Sequence, residues 1–251
     1  MKTIYSASSI RRFGKKTAGI IFMILLISLF AASAWSAVAD YEGAYSGTFT
    51  GDDSGVWIAI INSSGTVRFL TWSTNYSEVD GGEISIDGSG NISGYTDVNY
   101  SIITASINSS DVVSGTWYNS TNNNGSLSGQ KESQVSQYSG TYSGNFSGDD
   151  SGTWSVTVNS TGYVSGTIHT SDGDVSMEGG VNSGGKLIAY DEIGAGIYGT
   201  ISNGNISGVW SDSYYGESGT FSGSKEGDDG DGGGGCFIST AALKSVSNLE
   251  L

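Results

Sequence analysis

The stretch YEGAYSGTFTGDDSGVW, Tyr41 to Trp57, recurs as YSGTYSGNFSGDDSGTW, Tyr138 to Trp154, identical at 12 of 17 positions and offset by 97 residues. The match continues through Asn62, Gly65 and Val67, which meet Asn159, Gly162 and Val164. Further on, VSGTWYNS and GSLSGQKE answer ISGVWSDS and GTFSGSKE at an offset of 93 or 94, as loops of slightly different length require. Identity at the spacing of a whole domain, and at no shorter period, makes each copy one folding unit of about 90 residues. The expected organisation is an N-terminal signal segment over 1–39, repeat 1 over 40–132, a linker over 133–137 and repeat 2 over 138–226. An acidic glycine-rich linker over 227–235 and a tail over 236–251 complete it.

Within each copy the period is two. In YSGTYSGNFSG one face carries Tyr138, Gly140, Tyr142, Gly144, Phe146 and Gly148, and the other Ser139, Thr141, Ser143, Asn145 and Ser147. That is the pattern of a strand buried on one side and wetted on the other. Turn chemistry recurs at GDDSG, NSTG, SDGD, NSGG and SNGN, where glycine supplies positive φ and Asn or Asp tolerates it. Eight strands follow in repeat 2, at 138–148, 152–159, 163–170, 174–181, 185–191, 195–202, 205–212 and 216–224, all with short connections. Consecutive strands therefore pair antiparallel as a meander.

An eight-stranded meander with one apolar face can bury that face by closing into a small barrel. The fold class is all-β, two tandem antiparallel eight-stranded domains, with a two-sheet β-sandwich as the alternative. Alternation of large residues with glycine supports closure, because a narrow interior cannot hold an aromatic at every inward position. The chain has 40 Gly, no Pro and 11% aromatic residues, which suits short strands and tight turns better than long helices. Tyr142, Phe146, Trp154, Trp210 and Phe221 all face inward, so the interior is expected to be filled and a ligand to meet loops or the outer sheet. The outward Ser, Thr and Asn lack the apolar band of a membrane-spanning barrel.

The N-terminus reads as a secretory signal. Lys2, Arg11, Arg12, Lys15 and Lys16 precede the apolar run GIIFMILLISLFAASAW, and Ala37 and Ala39 form an A-x-A cleavage motif before Asp40. Retention of 17–39 as a membrane anchor is the alternative. Cleavage would leave 25 acidic residues against Arg68, Lys131, Lys186, Lys225 and Lys244, a net charge of −20. Such a surface repels phosphate backbones and anionic headgroups, which argues against nucleic acid and against peripheral membrane docking; the membrane enters only through the signal or the tail. An unknown extracellular or envelope ligand is the expected partner. The chain's one cysteine means the fold stands without an intramolecular disulfide.

Catalytic groups are sparse. His169, the single histidine, falls on the polar face beside Thr167. No Ser-His-Asp set, zinc spacing or phosphate loop is present, so no catalytic residue and no bound cofactor is assigned. Adjacent carboxylates in a hairpin point apart, so neither Asp52 with Asp53 nor Asp149 with Asp150 makes a facing acid and base. Those GDDSG loops are the candidates for calcium, which takes carboxylate and carbonyl oxygens; the linker carboxylates Asp228, Asp229 and Asp231 are others. Asn-x-Ser/Thr sequons occur at Asn62, Asn75, Asn91, Asn99, Asn108, Asn119, Asn124, Asn145, Asn159 and Asn205.

Two resemblances add to this reading. The Y-x-G-x-F-x-G opening and G-x-F-x-G close of each repeat resemble the small eight-stranded barrels of bacterial surface proteins of the transferrin-binding protein B type. The tail CFISTAALKS is similar to the CFI-box C-terminal domain of exported bacterial proteins, matching at Cys236, Phe237, Ile238, Thr240, Ala241, Ala242 and Ser245 and departing at Ser239, Leu243 and Lys244. The resemblance implies a sorting, processing or surface-attachment role for the tail, with Cys236 as the modification site. The resulting expectation is an exported, non-catalytic surface or secreted protein with two binding or structural barrels. A secreted hydrolase working through acidic loops, or a carrier of small apolar ligands, is the alternative.

Overall fold

In the computed structural model, which describes residues 38–191 and 194–227, the chain forms two closed antiparallel barrels of eight strands each. The first comprises β1 (Gly43–Gly51), β2 (Gly55–Ile61), β3 (Thr66–Ser73), β4 (Val79–Ile86), β5 (Asn91–Tyr95), β6 (Ile102–Ile107), β7 (Val112–Tyr118) and β8 (Asn124–Lys131). The second comprises β9 (Gly140–Gly148), β10 (Gly152–Val158), β11 (Tyr163–Thr170), β12 (Gly173–Val181), β13 (Lys186–Tyr190), β14 (Ala195–Ser202), β15 (Asn205–Asp212) and β16 (Glu217–Lys225). Strand follows strand around each barrel, and the first closes on the last: Tyr45 lies opposite Lys131, and Tyr142 opposite Lys225. The sandwich alternative is thereby excluded.

The large-small alternation has a direct cause. A Cβ on Gly47 would lie 1.9 Å from the Ser128 carbonyl oxygen, and one on Gly144 2.0 Å from that of Ser222. Strands of a narrow barrel coil so tightly that inward positions such as these have no room for a side chain. The space is filled by neighbours: Trp57, Phe69 and Leu127 in barrel 1, and Trp154, Met177 and Phe221 in barrel 2. Each fully buried apolar side chain of this size contributes roughly 1.5–3 kcal/mol.

One end of each barrel, the foot, is sealed by the segment that precedes its first strand. Val38 and Tyr41 pack against the core of barrel 1, and Val38 reaches Gly65 while Tyr41 reaches Gly90. In barrel 2 Val135 meets Gly162 and Tyr138 meets Gly185. Val38 and Val135 share the offset of 97 that relates the two copies, so the repeat begins earlier than its sequence identity shows. The linker expected over 133–137 is largely a single 3-10 turn, Val135–Tyr138, which seats this plug.

The outward face corrects the expectation of a polar, wetted wall. Ile58, Ile60, Leu70, Trp72 and Val79 of barrel 1 point outward yet are buried, because they pack against Ile188 and Tyr190 of barrel 2 in a third apolar cluster. Trp72 stacks on Tyr198 with centroids 4.9 Å apart. A Cβ on Gly196 would lie 2.3 Å from Val79 Cβ, so the barrels touch backbone to side chain there. Polar contacts border the seam: Arg68 pairs with Glu178, Tyr190 donates to Asp97 Oδ2 at 2.9 Å, and Glu132 accepts from the Ser183 amide at 3.1 Å. Burial draws the Arg68 pKa down, but Glu178 and Tyr190 more than offset it.

Candidate functional site

The other end of each barrel, the mouth, is open. In barrel 1 the loops β1–β2, β3–β4, β5–β6 and β7–β8 surround a cavity of about 380 Å³ floored by Phe49, Phe69, Ile103, Trp117 and Leu127. Its walls are polar, with Asp53, Thr71, Ser73, Glu78, Asp80 and Thr96 among the lining residues. Asp80 is buried on strand β4 and accepts from the Thr96 hydroxyl at 2.6 Å, the Gly81 amide at 2.8 Å and the Val98 amide at 3.2 Å. Burial pushes its pKa up, and these hydrogen bonds only partly counter that. Burial also raises Glu78, with the charges of Asp53 and Asp80 acting in the same direction.

In barrel 2 the corresponding loops surround a cavity of about 300 Å³. Its floor is apolar: Phe146, Trp154, Ile168, Met177, Trp210 and Phe221. Around the opening stand Asp150, Asp172, Asp191, Asp212 and Glu217, with no Lys, Arg or His among the lining residues. Phe146 and Trp210 pack edge to face at 5.8 Å, as Phe49 and Trp117 do at 6.0 Å in barrel 1. Each of these tryptophans is pinned by its indole N–H, Trp117 to the Thr50 carbonyl at 3.2 Å and Trp210 to that of Ser147 at 3.1 Å. The expectation of a filled interior is thus corrected: the waist and foot are filled, but the mouths are hollow. No plug comparable to Val38 or Val135 covers them among the described residues.

Both mouths open on the same side of the molecule. Near the mouths, Val79 meets Gly196 and Asp97 meets Tyr190; near the feet, Gly180 meets Ile58 and Ile60, and the β12–β13 loop meets Glu132. Among the described residues, the exposed tyrosines are Tyr76, Tyr95, Tyr100, Tyr118, Tyr214 and Tyr215. Each lies in a mouth-side loop or at the strand end beside one. Tyr100 adopts a φ of 52°, a left-handed conformation that a bulky residue rarely takes.

The acidic loop residues are arranged as expected for hairpin neighbours. Asp52 turns to β8, accepting from the Asn124 amide at 3.0 Å and its side-chain amide at 3.1 Å, and Asp149 accepts from the Ser218 amide at 2.9 Å. Asp53 turns the other way, to Ser73 Oγ at 3.0 Å and Asn75 Nδ2 at 2.9 Å, while Asp150 caps the Ser151 amide. These carboxylates hold the loops in shape, and among the described residues no three His, Cys, Asp or Glu side chains are grouped to hold a metal ion. His169 is exposed and bonded to Asp174 at 2.6 Å. Asn62, Asn108, Asn119 and Asn159 each accept backbone amides two and four residues on, which gives those sequons a turn-forming role. Ala39 lies at the start of the described residues. Ala37, the carboxylates Asp228, Asp229 and Asp231, and Cys236 with its tail lie outside them.

Asp80, Thr96 and the acidic rim of barrel 2 escape a reading by motif, because six separate hairpins, two in barrel 1 and four in barrel 2, bring them together. The tyrosines do leave a signal, in TNYSEVD, DVNYS and SDSYYGES, where aromatics sit inside turn-forming stretches that have no core to fill.

No protein-family model and no curated protein matches the chain. Among solved structures, a candidate outer membrane protein of Bacteroides fragilis is similar at 15% identity and a TM-score of 0.27, covering 76% of this chain and 99% of its own. A protein of unknown function from the DUF3598 family of Nostoc punctiforme is similar at 9% identity and a TM-score of 0.26, covering 76% and 98%. At such TM-scores neither likeness carries an argument about fold or function.

Proposed function

We propose that the protein is an exported binding protein, without a catalytic role, that engages an extracellular or envelope ligand through the side on which both barrel mouths open. The observation that carries this reading is the gathering there of all six exposed tyrosines of the described chain around two hollow mouths. Tyrosine presents a large amphipathic contact area at low entropic cost, and a solvent-facing cluster has no role in folding. The N-terminal signal pattern supports export, and the barrel pattern resembles surface-protein domains. Similarity of the tail to the CFI-box domain supports sorting or attachment at Cys236; an unchanged location and mass in Cys236→Ala would remove that part.

The test compares labelled wild-type protein with a Tyr76→Ser, Tyr100→Ser, Tyr214→Ser, Tyr215→Ser variant for retention on purified envelope of the native organism. Retention should fall at least tenfold, while Val112→Ser and Val209→Ser, away from the mouths, leave it unchanged. Equal retention by all three sinks the reading.

One observation favours a hydrolase as the second reading. Asp53 from the β1–β2 turn meets Glu78 and Asp80 of the β3–β4 hairpin at one mouth, and burial raises the Glu78 pKa, the direction a general acid requires. Against this, Asp80 and Asp53 already serve internal hydrogen bonds. Turnover of an oligosaccharide by wild type but not by Glu78→Gln would establish the enzyme.

A further inference from the structure

We infer that the mouth of barrel 2 is a site for a small organic cation with an apolar body. This rests on the reading above that the mouths are the binding side, and it names the ligand class of one of them. A cavity of about 300 Å³ is of the size that encloses a single small molecule. Its floor joins the edge-to-face pair Phe146 and Trp210 to a second such pair, Trp154 and Phe221, at 5.7 Å. Aromatic faces attract cations through their quadrupole, and more strongly where water is excluded.

The charge at the opening has one sign. Asp191 is buried and held by the amides of Gly194 and Ala195, at 2.8 and 2.9 Å, so its position is fixed by the chain. Asp212 is fixed likewise by the amides of Tyr214 and Tyr215. Asp172 and Glu217 are exposed, and among the described residues their carboxylates make no hydrogen bond or ion pair with another side chain. A low-dielectric cleft rimmed by like charges focuses the field and concentrates counter-ions. An anionic amphiphile such as a fatty acid is repelled, and a neutral apolar molecule gains nothing from the rim. The equivalent mouth of barrel 1 replaces this apolar wall with Thr71 and Asp80, so the site belongs to the second copy alone.

Calorimetric titration of the two-barrel protein with benzyltrimethylammonium, benzyl alcohol and benzoate tests the assignment. The cation should bind at least tenfold more tightly than the alcohol, benzoate should not bind, and added salt should weaken the cation alone. Asp172→Asn with Glu217→Gln should lower cation affinity about tenfold and leave the alcohol unchanged. Equal affinity for cation and alcohol, or no effect of the double variant, overturns the cation assignment in favour of an apolar carrier. No binding of any probe overturns it entirely. Tyr76→Ser with Tyr100→Ser alters the mouth of barrel 1 alone, so envelope retention of that pair variant reports on the binding side independently of this result.

Discussion

The same three-strand row is built in opposite ways in the two barrels. Across β2, β3 and β4 it reads Ala59, Phe69, Gly82; across β10, β11 and β12 it reads Val156, Gly166, Met177. Bulk lost at one position is regained at its neighbours, so both waists are full. One row nearer the mouth the sequence is Trp57, Thr71, Asp80 against Trp154, Ile168, Val175. There the exchange is chiefly of polarity, an apolar Ile168 and Val175 standing where barrel 1 has Thr71 and Asp80. Duplication has therefore conserved the barrel while separating the two mouths in chemistry.

The largest effect should come from removing the bulk that each copy relies on. Phe69→Ala should cost about 4 kcal/mol in barrel 1, and Met177→Ala about 3 kcal/mol in barrel 2. Gly82, opposite Phe69, offers nothing to fill the hole. If urea denaturation shows Phe69→Ala to be nearly neutral, the row is not the packing unit described. The seam between barrels should respond next. Gly196→Val would drive a side chain into Val79 and should cost about 2 kcal/mol by overpacking. Its signature is a single unfolding transition resolving into two in calorimetry, since each core is complete without the other.

Acidity separates the copies more subtly. Burial raises the pKa of Asp80 and of Glu78 above their unfolded values, so the folded state binds protons more tightly than the unfolded one. The stabilisation is then present at low pH and is lost as pH rises through the interval from the unfolded to the raised values. Barrel 2 pairs Val175 with Ile168 where barrel 1 pairs Asp80 with Thr71, so the Asp80 contribution has no counterpart at that position of the second copy. Glu78→Gln should flatten the decline in unfolding temperature of barrel 1 just above the ordinary carboxylate range. An unchanged pH profile would show that Glu78 is solvated.

Strand period and turn chemistry made most of the fold legible. The strands expected at 163–170, 195–202 and 205–212 are those observed, and the aromatic alternation foretold closure. The seam was not legible, because GVWIAII and TVRFLTWS are apolar on both faces, a pattern that fits a strand buried on both sides but names no partner. Val38 also falls between Ala37 and Ala39 of the A-x-A motif, and its packing role was not legible because its match to Val135 lies beyond the run of visible identity. The mouths were missed for a different reason: their chemistry is assembled from hairpin tips about 20 residues apart in sequence, each one unremarkable as a turn.

The smallest expected effect is also the most direct comparison of the copies. Tyr45 and Tyr142 occupy one position at an offset of 97, and both are almost wholly buried. Tyr142 donates its hydroxyl to the Tyr138 carbonyl at 2.9 Å, whereas the Tyr45 hydroxyl is buried with no hydrogen-bond partner among the described residues. A buried polar group without a partner costs the folded state its desolvation, while a satisfied one contributes about 1 kcal/mol net. Tyr142→Phe should therefore destabilise barrel 2 by about 1 kcal/mol, and Tyr45→Phe should leave barrel 1 unchanged or slightly more stable. Thermal unfolding of the two single variants decides it, because the ring and its packing are kept in both. Equal losses would mean that Tyr45 finds an acceptor in solution, through a shift of the Val38–Tyr41 plug that would make the foot of barrel 1 equivalent to that of barrel 2.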